Sequence, residues 1–197
     1  MGIQFKDVSY AYKGLKVNYD AIQHINLNID EKGEFIAIIG QTGSGKSTLV
    51  QHMNALLLPN SGNVVVFGQN LPPKKKEKIN YLRQKVGLVF QFPEYQLFEE
   101  TILKDIMFGP KNFKSTEAQA TEMAKKAAKI VGIDESLYEQ SPFRICGGQM
   151  RRVAIAGILA MEPEILVLDE PTRGLDPKGR RDLMAIFKEL HEKLGDN

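Results

Sequence analysis

The segment Gly40-Gln41-Thr42-Gly43-Ser44-Gly45-Lys46-Ser47 constrains this chain more than any other part of its sequence. The segment has a glycine, a spacer of four residues, and then glycine, lysine and serine. This pattern is typical of a loop whose backbone N–H groups converge on a phosphate. The apolar run at 35–39 predicts a buried strand before the loop, and the residues from Lys46 to about Leu58 predict a helix after it. That context is the one the motif requires, and we call Gly40–Ser47 the phosphate loop.

The residue types in the phosphate loop also predict what it binds. Lys46 is expected to reach the β- and γ-phosphates of a nucleotide, and the Ser47 hydroxyl is expected to bind Mg²⁺. The helix that follows adds the positive end of its dipole. We therefore expect ATP and Mg²⁺ as ligands, with the nucleotide held by residues Gly40, Gln41, Thr42, Gly43, Ser44, Gly45, Lys46, Ser47 and Thr48.

A second motif, which is acidic, lies late in the chain. There the predicted apolar strand Ile165–Leu168 ends in Asp169 and Glu170. An acidic residue at the end of a buried strand beside a phosphate loop holds Mg²⁺, which is the role predicted for Asp169. Glu170 comes next and points differently, so it can orient or deprotonate the attacking water. Such a pair can also be a helix cap or a turn, but the phosphate loop favours metal and water chemistry.

Composition limits the other possibilities. The chain has 197 residues, a net charge of +2 and one cysteine, so it has no internal disulfide framework and no basic excess for nucleic acid. Its apolar stretches are shorter than the ~20 residues that span a bilayer, so any membrane role is expected to be peripheral. The lysine run in 72–78 is interpreted as a solvated loop, with binding to lipid or nucleic acid as the less favoured alternative.

Strand patterns alternate with helix patterns along the rest of the chain, which predicts an α/β protein with a largely parallel core sheet. The segment 97–147 is polar and helical, and Thr116 and Gln119 have capping-box spacing before a helix that ends near Val131. Asp176 and Pro177 are expected to start the last helix. Further strands are predicted around Ile3–Val8, Ile25–Ile29, Val64–Phe67 and Val86–Phe90, and a further helix over Gly148–Met161.

Several of these motifs resemble those of the ATP-binding-cassette (ABC) ATPases. Cys146-Gly147-Gly148-Gln149 is similar to the Ser-Gly-Gly-Gln signature of that family and lies between the phosphate loop and Asp169, as it does there. Gln91 corresponds to the Q-loop glutamine, and Gly174-Leu175-Asp176 resembles the D-loop. The resemblance covers essentially the whole chain and implies an incomplete ABC ATPase domain over residues 1–197. The implied fold is a P-loop NTPase core with a mostly parallel sheet, an N-terminal antiparallel β subdomain and a helical subdomain at 97–147.

The resemblance also implies roles for individual residues. Tyr12 is the aromatic expected to stack on adenine, with Tyr10 as the second choice. Gln91 is expected to sense the γ-phosphate and to act with Glu170 in catalysis. The metal ligands implied are Ser47, Gln91 and Asp169, and the signature residues implied to contact nucleotide across the dimer are Cys146, Gly147, Gly148 and Gln149.

Three longer stretches are similar to the ATPases of energy-coupling factor (ECF) transporters, namely Val89–Phe98, Phe108–Phe113 and Gly148–Gly157. Within that group the chain looks most like the second of two paired subunits. This implies a heterodimer with a related ATPase, a transmembrane coupling protein, and a separate membrane protein that captures a vitamin or a metal ion. The implied location is the cytoplasmic face of the cell membrane, without nucleic acid.

The sequence departs from the family pattern in three places. Cys146 replaces the signature serine, and Arg173 stands where the family usually has a small residue. The family continues beyond the position of Asn197 with a strand that carries a switch histidine, and His24, His52 and His191 do not fit that role. His52 and His191 are expected to be exposed on helices, and the chain is expected to be C-terminally truncated.

Two alternatives remain beside the transport ATPase. One is a truncated nucleotide-binding fragment without hydrolytic activity. The other is a soluble ABC ATPase of DNA repair or translation, which is disfavoured because the chain has neither a long coiled-coil insertion nor tandem domains.

Overall fold

A computed structural model describes residues 2–14, 19–30, 33–73 and 78–195, with side chains described up to residue 192. The chain divides into two compact units, 1–88 and 89–197. The lysines at 74–76, for which a solvated loop was predicted, lie outside the described residues. No helix in the described ranges is both long and apolar enough to cross a membrane.

The first unit is built on an antiparallel sheet. The strands are β1 (Ile3–Tyr12), β2 (Tyr19–Ile29), β3 (Ser61–Val66) and β4 (Gln69–Leu71), in the order β2-β1-β3-β4. In register, Ile3 lies opposite both Ile29 and Val66. The predicted alternation is confirmed, because Ile3, Phe5 and Val8 are buried while their neighbours Lys6 and Asp7 are exposed.

The phosphate loop leads into the first helix, α1 (Lys46–Met53), which ends before the predicted Leu58. Ala55 adopts a left-handed backbone (φ 58°), which no helix can continue through. The amides of Leu56 and Leu57 both return to the carbonyl of Gln51, and Asn54 accepts a hydrogen bond from the amide of Leu56. The leucines at 56–58 therefore lie beyond the helix. A short helix, α2 (Asn80–Lys85), leads to β5 (Val86–Val89), which ends at the first residue of the second unit.

The predicted strand at 35–39 is wrong for this structure. These residues belong to neither sheet, and Phe35, Ile36, Ile38 and Ile39 are all exposed, Ile39 at 92%. A continuous apolar run forms a buried strand only where neighbouring strands supply ladder hydrogen bonds and cover its faces. Neither sheet of the described residues provides such neighbours.

The second unit is mainly helical around one core. Its elements are α3 (Ile102–Asn112), α4 (Glu117–Ile130), α5 (Gly147–Leu159), β6 (Ile165–Leu168) and α6 (Pro177–Gly195), with short 3-10 helices at Pro93–Gln96, Glu135–Leu137 and Pro142–Arg144. β6 pairs with β5 in a two-stranded sheet. The assignment of 97–147 as a separate helical subdomain stays a prediction.

Local signals set the ends of these helices. The predicted capping box at α4 is confirmed, since the Thr116 hydroxyl accepts from the Gln119 amide (3.3 Å) and the Gln119 side chain accepts from the Thr116 amide (2.9 Å). At α6, Asp176 accepts from the Gly179 amide at 2.7 Å, and Pro177 is the first helical residue. The core of the unit is formed by residues such as Ile102, Ile106, Ala124, Val153 and Ile155.

Candidate functional site

The first group of candidate site residues is the phosphate loop, in the first unit. Gly43 and Gly45 have left-handed backbones, with φ 83° and 89°. The Ser44 amide donates to the Gln41 carbonyl (3.2 Å), which closes a turn, and the Leu49 amide donates to the Gly45 carbonyl (2.8 Å), which starts α1. A Cβ on Gly45 would collide with the carbonyl of Ala21 and lie 2.8 Å from the Ile22 side chain. The loop therefore requires glycine at 45 for conformation and for space.

Lys46 turns back over the phosphate loop. Its Nζ donates to the carbonyls of Gly40 and Gln41, both at 2.8 Å. The ammonium group thus lies at the carbonyls of the first two loop residues while its backbone begins α1. This position suits a cation that can move from loop carbonyls onto phosphate oxygens.

Tyr12, the residue predicted to stack on adenine, is bonded to the helix that follows the loop. Its hydroxyl lies 3.1 Å from the hydroxyl of Thr48, and 41% of the residue is exposed. The Tyr10 ring packs edge-on against Tyr12, with centroids 5.0 Å apart, and also against His52, at 4.9 Å. Of the two tyrosines, Tyr12 thus has the direct side-chain hydrogen bond to the phosphate-loop helix.

His52 is buried, so the prediction that it is an exposed helix residue is wrong. Its Nδ1 lies 2.7 Å from the Thr48 carbonyl, and because a carbonyl only accepts, Nδ1 carries the proton. Nε2 is buried without a hydrogen-bond partner among the described residues. Packing against Tyr10 overrides the polar character that suggested exposure. His191 is of intermediate exposure on α6.

We expect the stability of the chain to fall on acidification through His52. Burial lowers the pKa of His52 below its usual 6.5, so the unfolded chain takes up the proton first as the pH falls. The stabilisation is complete above about pH 6.5 and declines below it, by at most about 1.4 kcal/mol per pH unit, until the folded-state pKa is reached. Urea unfolding at pH 7.5 and 5.5 should show a smaller change for His52→Gln than for the wild-type chain. Equal changes would contradict the assignment.

The second group of candidate site residues lies at the acidic end of β6, in the second unit. The strand is found at Ile165–Leu168 as predicted, and the Asp169 amide donates to the Val89 carbonyl at 2.9 Å. Asp169 is 8% exposed. Glu170 has a left-handed backbone (φ 46°), which directs the chain away from the strand at this residue.

Gln91 and Glu170 are 79 residues apart in sequence and in direct contact. The Gln91 Nε2 donates to Glu170 Oε2 at 2.8 Å. This contact brings together the two residues predicted to act in catalysis. Since the amide nitrogen of Gln91 bonds the carboxylate, its oxygen is the atom that remains to ligate a cation.

The signature residues begin α5. Cys146 is the N-cap, and both its backbone N–H (3.3 Å) and its thiol (3.4 Å) donate to the side-chain oxygen of Gln149. Gly147 and Gly148 form the first turn, and a Cβ on either would meet nothing within 4 Å. The spacing of Cys146 and Gln149 is that of a capping box, a signal that the sequence reading did not use. Cys146 is exposed and unpaired.

Arg151 is a site residue whose role the sequence reading missed. It is buried on α5 and forms a bidentate ion pair with Glu94, at 2.9 and 2.7 Å. Its Nη1 also donates to the carbonyls of Pro171 (3.2 Å) and Arg173 (2.8 Å). One guanidinium therefore joins the segment after Gln91, the signature helix and the turn after Glu170. The sequence could have indicated that Arg151 is buried, because it lies four residues before the apolar Ile155 and therefore on the same face of the helix.

The oxygen donors suit magnesium in their chemistry. Ser47, Gln91 and Asp169 offer a hydroxyl, an amide oxygen and a carboxylate, which are the hard ligands that Mg²⁺ prefers. Within each unit, the structure brings Lys46 to the loop carbonyls, Tyr12 to Thr48, and Gln91 to Glu170. No group of three or more histidine, cysteine or acidic side chains forms a cluster in the part of the chain that the structure describes.

Comparison with solved structures identifies the class of fold. The dimeric ATP-binding cassette MJ0796, in a post-hydrolysis state bound to ADP and Pi, superimposes with a TM-score of 0.85 and 32% identity. The match covers 98% of this chain and 84% of that one. CbiO1 of Clostridium perfringens, part of the ABC transporter complex cbiONQ, matches with a TM-score of 0.80 and 38% identity over 98% of this chain and 74% of that one. The fold is therefore the α/β P-loop fold of an ABC ATPase.

The family itself follows from the sequence comparisons. The sequence model of the ABC transporter family matches residues 22–173, and the chain belongs to that family. The energy-coupling factor transporter ATP-binding protein EcfA2 of Latilactobacillus sakei is 56% identical over 197 residues, covering 99% of this chain and 67% of that protein. EcfA2 of Streptococcus agalactiae is also 56% identical, over 98% of this chain and 69% of its own length. The resemblance drawn from the motifs is confirmed.

Proposed function

We propose that this chain is an ATP-binding subunit that couples ATP hydrolysis to uptake through an energy-coupling factor transporter. One observation carries the proposal: nearly the whole chain aligns, at 56% identity, with an ATP-binding protein of that transporter class. The geometry supports it, because Lys46 is placed on the loop carbonyls and Gln91 on Glu170. The transported molecule is a vitamin or a metal ion, and it is bound by another subunit.

The residues divide the chemistry between them. The phosphate loop and Lys46 hold the ATP phosphates, and Tyr12 stacks on adenine. Ser47, Gln91 and Asp169 would hold Mg²⁺, which would neutralise charge on the phosphate oxygens. Glu170 accepts the proton of the attacking water and orients it. The signature residues Cys146 to Gln149 contact the nucleotide of a second, related ATPase, which in turn completes the site of this chain.

An exposed aromatic surface of the second unit suits the membrane partner. Tyr95, Phe98 and Phe108 are 83%, 57% and 43% exposed, and the rings of Phe98 and Phe108 pack edge-on with centroids 4.8 Å apart. The buried carboxylate of Asp105 fixes this segment by accepting from the amides of Phe98 (3.1 Å) and Glu99 (2.9 Å). Exposed aromatic side chains that pack together, as Phe98 and Phe108 do, mark interaction surfaces. We place the transmembrane coupling protein on this surface, which follows Gln91 along the chain, at the cytoplasmic face of the membrane.

The proposal is tested by measuring ATP binding and phosphate release together. Both are measured for the chain alone and for the chain assembled with the partner ATPase, the coupling protein and the substrate-capture protein. Binding in all cases, with turnover only in the assembly, is the expected result. Binding without turnover in every assembly would contradict the assignment as a transport ATPase and would leave the chain as a nucleotide-binding protein without hydrolytic activity.

Lys46→Ala tests the phosphate loop directly. The loss of charge-assisted hydrogen bonds to phosphate, worth about 1.5–3 kcal/mol, should weaken ATP binding about 10- to 150-fold. Lys125→Ala removes the same charge from an exposed position on α4 and should bind ATP like the wild-type chain. Fluorescence titration with a labelled ATP measures both. Equal affinities of the two variants would place the phosphates elsewhere.

A further inference from the structure

Arg173 lies directly on the carboxylate of Glu170. Its Nη1 is 2.9 Å from Glu170 Oε2, the same oxygen that accepts from Gln91 Nε2 at 2.8 Å. The Arg173 amide also donates to the Glu170 carbonyl (3.0 Å), which closes the turn between them. Two side-chain donors therefore hold one carboxylate oxygen, and Oε1 is the oxygen that neither of them contacts.

The backbone from which Arg173 reaches Glu170 is itself fixed. Buried Arg151 donates to the Arg173 carbonyl at 2.8 Å and is anchored by its ion pair with Glu94. The next residue, Gly174, has φ 78°, and a Cβ there would lie 3.2 Å from the ring of Phe92. The backbone that carries the Arg173 side chain is therefore restrained at the Arg173 carbonyl and at Gly174.

We propose that Arg173 is a positioning residue for Glu170, which it fixes through Oε2 so that Oε1 is presented to the attacking water. This inference rests on the proposed function, in which Glu170 acts on that water. In the proposed site Gln91 would also hold the metal, through its amide oxygen, whereas the Arg173 side chain hydrogen-bonds the carboxylate alone. Arg173 is thus the side-chain donor on Glu170 that has no other task in the proposed site.

A merely structural ion pair would behave differently. Arg173 and Glu170 have side chains that are 52% and 36% exposed, and exposed pairs contribute about 0–1 kcal/mol to stability. Removal of the guanidinium should therefore leave the melting temperature nearly unchanged. A loss of turnover in such a variant reports on the carboxylate and not on the fold.

The first test uses Arg173→Ser in the chain assembled with its partner ATPase and membrane proteins. The expected result is a fall in kcat of about tenfold with an unchanged KM for ATP, because a misplaced catalytic group lowers the rate of the chemical step. Arg173→Lys, which keeps the charge, should recover part of the loss. Arg181→Ser removes the same charge from an exposed position on α6 and should turn over ATP at the wild-type rate.

The second test is a double-mutant cycle, measured in single turnovers. If Arg173 acts through Glu170, Arg173→Ser should cost about tenfold in the wild-type background and nothing further in the Glu170→Gln background. An unchanged kcat in Arg173→Ser, or the same fold loss in both backgrounds, would overturn the inference while the proposed function stands. Absence of turnover by the wild-type assembly would instead overturn the proposed function, and this inference with it.

Discussion

Glu170→Gln is expected to abolish nearly all ATP turnover of the assembled transporter while ATP binding is retained. A positioned general base contributes about 10²- to 10⁴-fold to a rate, and that is the loss expected for kcat. An amide cannot take a proton from water, but its oxygen can still accept from Gln91 and Arg173, which contact the carboxylate at 2.8 and 2.9 Å. The local structure should therefore survive the change. Phosphate release and equilibrium ATP binding are the two measurements.

The matched control for Glu170→Gln is Glu122→Gln, which makes the same chemical change at an exposed position on α4. It should turn over ATP at the wild-type rate. A Glu170→Gln variant that retains wild-type turnover would assign the water-activating role to another group. A variant that loses ATP binding as well would show instead that Glu170 supports the nucleotide site itself.

The parts of the fold that sequence predicted well are those with local signals. The four apolar residues Ile165–Leu168 form a strand with those bounds, Thr116 and Gln119 cap α4, and Asp176 caps α6 before Pro177. Each depends on residues within one or two turns of the chain. Such short-range chemistry is the same whatever the rest of the molecule does.

The predictions that failed depend on contacts from distant parts of the chain. The apolar run at 35–39 has the composition of a buried strand, but its state depends on which strands lie beside it. His52 reads as a polar helix residue, yet the Tyr10 ring, 42 positions earlier, packs over it. Helix α1 ends early because Ala55 has a left-handed backbone, and the residue types around this position do not predict that conformation.

The same distinction applies to the site. The phosphate loop and the acidic end of β6 could be located from sequence, because spacing within each motif carries the chemistry. The partners of the motifs could not: Glu94 meets Arg151 across 57 positions, and Gln91 meets Glu170 across 79. Arg173 was visible only as a departure from the family pattern, and the structure gives it a partner, Glu170.

Arg151→Met should be among the most destabilising single changes in this chain. The side chains of Arg151 and Glu94 are only 4% and 15% exposed, so their ion pair is largely removed from water. Taking away one partner of a buried pair leaves an uncompensated charge, which costs about 3–5 kcal/mol. The carbonyls of Pro171 and Arg173 lose a donor in the same step. Urea unfolding should record this loss in the free energy of unfolding.

Two further variants separate the buried charge from the loss of packing. Arg152→Met removes the neighbouring arginine, whose Nη1 donates to the Val131 carbonyl (3.2 Å) at a part-buried position, and should cost about 1 kcal/mol. Glu94→Met combined with Arg151→Met removes both charges, and such replacements are often tolerated. The double variant should therefore be more stable than Arg151→Met alone. A double variant that is less stable than Arg151→Met would contradict this explanation. The loss of stability would then come from the packing of the two side chains and from the hydrogen bonds to the turn after Glu170, and the unpaired carboxylate of Glu94 would not be its source.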